Sequence, residues 1–190
     1  MFEPHIWRSP RLQQGLLAVA LLSLLCIAGP IRLETVEGIP ITLQSLVVIL
    51  VPIIVGWRFG LVLVLAYLLL GAMGLPVFAG GSSGWAKFQG TTAGFLLAFP
   101  IAAVATGAAA RRIRRFHALQ GGLLMILGQS IILALGLTWQ FQLDAIEADL
   151  IAILKWTVPG LLLKSGMGAI LIALVTRIVT SAHPSTSLKS

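Results

Sequence analysis

Charge is what this chain has least of. Of its 190 residues, 10% are charged and 58% are hydrophobic, and the mean hydropathy is +1.01. An ordinary soluble domain carries about 25% charged residues. Too few are present here to coat a water-facing surface, so the chain reads as an integral membrane protein forming a single domain over residues 1–190. Cysteine is almost absent. Cys26 stands alone in an apolar run; it forms no internal disulfide, offers no zinc spacing and reads as a small buried thiol. The three histidines, His5, His117 and His183, do not cluster. No GxxxxGK[ST] loop is present, so the chain does not itself hydrolyse ATP. No carboxylate sits inside an apolar run, which argues against proton coupling. No nucleophile stands beside a base, which argues against an enzyme. No cofactor or metal is expected.

What is present is a series of apolar windows. They run over 12–31, 38–57, 59–86, 88–110, 116–143 and 156–176, the last interrupted only by Lys164. A spanning helix needs about 20 apolar residues. The windows predict an all-α, polytopic membrane protein with six transmembrane helices. The third window ends in Gly74-Leu75-Pro76, which breaks a helix, so its tail is a loop. The segment from Asp144 to Lys155 places Ile146, Leu150 and Leu154 on one face. It suits a short amphipathic helix at the membrane surface, acting as a lid or as a plain connection.

The 13 Lys and Arg against 6 Asp and Glu give a net charge of +7. A nucleic-acid surface would need a basic patch interleaved with aromatics. Here the cations sit at the ends of apolar runs, so membrane orientation explains them and no nucleic acid is expected. With the N-terminus inside, Arg8, Arg11, Arg58, Arg111, Arg112, Arg114, Arg115, Arg177 and Lys189 fall on the cytoplasmic side, leaving Arg32, Lys87 and Lys155 outside. This predicts a multi-pass plasma-membrane protein with both termini cytoplasmic, residues 1–11 forming the N-terminal segment and 181–190 a flexible tail. The run from Arg111 to His117, RRIRRFH, reads as an anchor on anionic lipid heads or as a docking surface for a cytoplasmic partner.

Two features ask for more than topology. Lys164 lies about eight residues into the last window, roughly 10–12 Å deep at 1.5 Å per residue. A lysine in hydrocarbon costs about 2.5–3.5 kcal/mol, so its amine faces protein or a wet cavity unless it snorkels to the headgroups. Its three N–H donors suit a carboxylate or carbonyl oxygen. The second feature is the segment from Gly74 to Phe95, GLPVFAGGSSGWAKFQGTTAGF. Its glycines permit close backbone approach to a ligand. Phe78, Trp85 and Phe88 supply aromatic walls, and Gln89, Thr91 and Thr92 supply directed hydrogen bonds, the make-up of a small-molecule site. The plainer reading is a flexible connector. In the chosen orientation the loop and the lysine lie on the same, outer side.

Three runs resemble one family. They are Pro40–Gly60 (PITLQSLVVILVPIIVGWRFG), Tyr67–Phe99 (YLLLGAMGLPVFAGGSSGWAKFQGTTAGFLLAF) and Val158–Gly166 (VPGLLLKSG), and together they are similar to BioY proteins, the biotin-specific S components of energy-coupling factor transporters. The resemblance implies an S-component-like bundle of six helices that binds biotin from outside. It implies no motor of its own, the work coming from a transmembrane coupling subunit and cytoplasmic ABC-type ATPases. It implies that Gly90 and Thr92 shape the turn after the glycine loop and that Lys164 touches the ligand, with Gln89, Phe78 and Trp85 completing the candidate substrate-binding set. There are departures. Thr91 and Ala93 replace the family's proline and glycine, and Leu161 replaces an acid three residues before Lys164, on the same helix face. Either Gln89, Thr92 or Gln129 accepts the ligand's N–H groups instead, or the ligand differs. The small-residue seam expected on the first helix for the coupling subunit is faint, with Gly15, Ala18 and Ser23 off a four-residue repeat.

The expected function is therefore substrate capture for biotin uptake. An S-type subunit for another vitamin-like small acid and a non-transporting membrane scaffold are the alternatives.

Overall fold

The computed structural model describes residues 11–34, 40–113, 117–143 and 150–182. Its described residues form six α-helices: α1 (Arg11–Ala28), α2 (Gln44–Val55), α3 (Trp57–Ala72), α4 (Ala93–Ala110), α5 (Ala118–Gln142) and α6 (Leu150–Ala182). Two short strands, β1 (Arg32–Glu34) and β2 (Pro40–Thr42), pair antiparallel between α1 and α2, with Arg32 opposite Thr42. The α3–α4 loop carries two short 3-10 turns, Ala79–Gly81 and Trp85–Phe88.

The six apolar windows thus become six helices, but the lengths differ from expectation. Among the described residues three helices are long and apolar enough to cross a membrane: Ala93–Ala110, Ala118–Gln142 and Thr157–Val175. The apolar stretches Leu12–Ala28, Gln44–Val55 and Trp57–Ala72 are shorter. A 12-residue helix such as α2 rises only about 18 Å. The reason is local. The window at 38–57 holds a strand at its start and Gly56 at its end, so a charge-free run is longer than the helix inside it. The fold is all-helical as expected, with the strand pair a minor addition between α1 and α2. Of the segment 144–155, residues 150–155 open α6; residues 144–149 lie outside the described residues, as do 1–10, Arg114 and Arg115 of the basic run, and 183–190.

α2 is the hub. All its residues except Ile54 are buried, and it packs against each of the other five helices. A helix that is apolar all round belongs at a centre rather than on a surface. It turns straight into α3 through Gly56 alone, which adopts φ +90°, a conformation open mainly to glycine. The hairpin is tight: a Cβ on Gly60 would sit 2.5 Å from Pro52 Cα, and one on Gly107 of α4 would sit 2.8 Å from Trp57 Cα. α4 and α5 run antiparallel, Gly94 meeting Trp139 and Gly136 meeting Phe95. α5 and α6 do the same, Gly121 against Ile172 and Gly168 against Met125. Large apolar side chains face outward on α1 (Leu12, Leu16, Val19, Ile27) and α6 (Leu162, Leu163, Ile170). Such a rim suits lipid and would be unusual for a water-facing surface.

Two unlike ends result. One holds the Gly56 turn, Arg58, and Arg111 and Arg112 after α4. The other gathers the strand pair, the α3–α4 loop, the start of α4, the end of α5 and the first half of α6.

Candidate functional site

A cavity of about 700 Å³ opens at the loop end, within the range of small-molecule sites. Helical periodicity selects what each helix contributes. α6 gives Thr157, Gly160, Leu161 and Lys164, one stripe at i, i+3, i+4 and i+7. α5 gives Gln129, Ile132, Leu133, Leu137 and Gln140 by the same spacing, and α4 gives Phe95, Leu96 and Phe99. The first turn of α2 gives Gln44 and Ser45, and the strands give Arg32 and Thr42. The loop contributes Phe78, Ala79, Gly80, Ser82, Lys87 and Thr92.

The Lys164 Nζ donates to Ser45 Oγ at 3.2 Å, joining the last helix to the central one. That uses one of three ammonium donors. Beside it the lining carries unmet hydrogen-bonding capacity. Gln44 and Gln129 are each 5% exposed, and neither Nε2 has a hydrogen-bond partner. Ser165 Oγ, one residue past Lys164 and outside the lining, is likewise buried without a partner. Each unsatisfied buried donor costs about 1–3 kcal/mol. A fold that keeps two such amides and an ammonium around one cavity is arranged for a polar guest. Among the described residues the lining holds three cations and no carboxylate.

The glycine loop is folded, not slack. The Tyr67 hydroxyl, fully buried, donates to Val77 O at 2.7 Å. Phe78 N–H donates to Ser82 O at 3.0 Å, and Gly84 N–H to Gly71 O at 2.7 Å. The Phe78 ring lies against Gly71, where a Cβ would run into it. Phe78 is 2% exposed and packs edge-on to Tyr67 and to Phe88. At the far end Trp139 Nε1 donates to Gly90 O at 3.0 Å, pinning the loop to α5.

Of the residues singled out from sequence, Lys164, Phe78 and Thr92 come together in this cavity, and Gln129 joins them from α5. Trp85, Gln89 and Gly90 stand outside the lining. Trp85 is 65% exposed and stacks on Phe88 with ring centres 5.5 Å apart. Gln89 is exposed at the end of the second 3-10 turn, and Gly90 serves through its carbonyl. Leu161 does line the cavity, so the position of the missing acid presents an alkyl group to it. Sequence reasoning missed Gln44 and Ser45. Their signal was the Pro-x-Thr-x-Gln run at Pro40–Gln44, a polar interruption at the head of a long apolar stretch. It missed Arg32 as well, which reads from sequence as a topology charge.

An apolar bundle with a half-enclosed, donor-rich cavity at one end defines a membrane-embedded small-molecule binding protein. The chain belongs to the BioY family, whose family model matches residues 6–181. It is 38% identical over 164 residues to the biotin transporter BioY of Rhodobacter capsulatus, covering 80% of this chain and 84% of that protein. It is 33% identical over 144 residues to a protein of Pyrococcus horikoshii named "Probable biotin transporter BioY", covering 75% of this chain and 85% of that one. Its fold matches the crystal structure of the S-component for biotin from an ECF-type ABC transporter, with a TM-score of 0.73 at 20% identity, over 89% of this chain and 95% of that one.

Proposed function

We propose that this chain is the substrate-capture subunit for biotin uptake across the plasma membrane, energised by a separate coupling subunit and ATPases. The observation that carries the reading is the cavity lined by Lys164, Gln44 and Gln129, with both buried amide nitrogens donating to no protein acceptor. The cyclic urea of biotin has a carbonyl to receive N–H donors and two N–H groups to give to amide oxygens. Gln44 and Gln129 offer both, which compensates for the leucine at 161. Lys164 donates to a ligand oxygen, Phe78 and Phe99 wall the rings, and Thr92 closes the loop side. Trp85, Gln89 and Gly90 support the loop from behind.

All six helices lie in the membrane in this reading, α2 as a short central one, and both termini are cytoplasmic. The Lys and Arg bias supports the orientation: Arg58, Arg111 and Arg112 follow the end remote from the cavity, which then opens outward. The test is growth of a biotin-auxotrophic host lacking its own uptake system, at trace vitamin, with an energising module supplied. The chain restores growth and Lys164→Met does not; no rescue, together with no saturable binding by the purified protein, overturns the reading.

One observation favours a second ligand. Leu161 sits in the lining where an acid would pair a ligand's N–H groups. If the guest is another vitamin-like acid, a ligand panel raises the melting temperature with that compound and not with biotin.

A further inference from the structure

The cavity holds two cations for which the reading above has no use. Arg32 and Lys87 line it from the strand pair and the loop, and Lys164 lines it from within the bundle. Arg32 is exposed, whereas Lys164 is partly buried on Ser45. The geometry points to a division of labour: Arg32, seated over Gly80 and backed by Lys87, is an anion clamp at the mouth that selects a free carboxylate, while Lys164 serves a neutral carbonyl at the floor. This inference rests on the capture reading.

The seat of Arg32 is built. Gly80 adopts φ +68°, and a Cβ there would sit 2.9 Å from both Cδ and Nη1 of Arg32. Real Cβ atoms do not come that close, so bare backbone is what lets the guanidinium lie across the loop. Gly80 N–H also donates to Pro30 O at 3.2 Å, clasping the segment that carries Arg32 onto the same loop. From there a polar track runs inward. Thr42 is the strand partner of Arg32 and lines the cavity; Gln44 and Ser45 follow in the chain; Ser45 receives Lys164.

The two ends of this track differ in dielectric. A carboxylate drawn down to Lys164 gives up its water in the apolar bundle, and its attraction to one partly buried ammonium offsets that only in part. At the mouth it keeps part of its hydration and meets a guanidinium fork suited to two-point contact. A cyclic urea is neutral, so it crosses into the floor at lower cost and finds donors there. A ligand with a urea-like ring at one end and a carboxylate at the other matches the track end for end.

The test is competition against radiolabelled biotin on the purified full chain, comparing biotin with its uncharged primary amide. The unaltered protein prefers biotin by about tenfold, the scale of one charged hydrogen-bonded contact. In Arg32→Gln the preference vanishes because biotin binding falls by about that factor while the amide holds its affinity. Arg32→Lys keeps only part of the preference, because a point charge replaces the two-point fork. Lys164→Met weakens both ligands alike. The inference is overturned, with biotin capture intact, if Arg32→Gln keeps the preference for biotin over the amide, whether or not it weakens both ligands; loss of the preference in Lys164→Met would then assign the carboxylate to Lys164. If the unaltered chain binds neither ligand, capture itself fails and the clamp with it.

Discussion

The two ends of the bundle are made of the same apolar helices and follow opposite rules. At the Gly56 end, helices turn in one residue and backbones touch through Gly60, Pro52 and Gly107. Thr106 is fully buried there, yet its hydroxyl donates to Ala102 O at 2.7 Å. At the loop end, the chain departs into strands and 3-10 turns, a cavity is left open, and two buried amide nitrogens find no partner. One end is close-packed and hydrogen-bonded; the other holds unmet donors. Close packing and unmet donors have been given separate ends of one bundle, the arrangement expected of a binding site held open at a cost to packing.

The largest effect that would break this comparison is at the packed end. Gly107→Val forces a side chain into Trp57 and Pro52, and overpacking of this kind costs about 1–3 kcal/mol. The expected result is a lower melting temperature with unchanged biotin affinity in the protein that remains folded. A matching loss of affinity would mean that the two ends are coupled. At the cavity end the signs reverse. Gln129→Leu removes a buried amide nitrogen that has no partner, so the ligand-free protein gains about 1 kcal/mol while biotin affinity falls about tenfold. Melting curves with and without ligand check both halves at once; a loss of stability without ligand would show that the amide is structural. The smallest effect is expected at Trp85→Ala. The ring lies outside the lining and is mostly exposed, so affinity changes by less than about twofold. A larger change, measured by the same titration, would place the loop's outer aromatic layer in the site.

What could be read from the sequence follows the same division. Long charge-free runs mark buried or lipid-facing helices and Gly74-Leu75-Pro76 marks a break, so α4, α5 and the end of α3 were legible, and the depth of Lys164 placed it inside the bundle. The β1–β2 pair was hidden because a charge-free window does not report where a helix begins inside it. Gln44 and Ser45 lie inside that window rather than at its edge, although they form the first turn of α2 in space. The loop was the least legible part. Its composition fitted a binding segment or a flexible connector, and two 3-10 turns and several glycines at positive φ set which side chains face inward, a path that no spacing rule covers. Phe78 and Trp85 looked alike in the sequence; one is sealed against Gly71 and the other lies on the surface.

The account depends on Lys164 meeting the guest rather than serving the fold. Calorimetric titration of biotin into the purified chain and into Lys164→Met tests this most directly. The account predicts saturable one-site binding that weakens about 100-fold in the variant, while the variant without ligand melts no lower than the original, since a cation has left an apolar bundle. Equal affinity in the two proteins, or a variant that binds normally but melts lower, would contradict it.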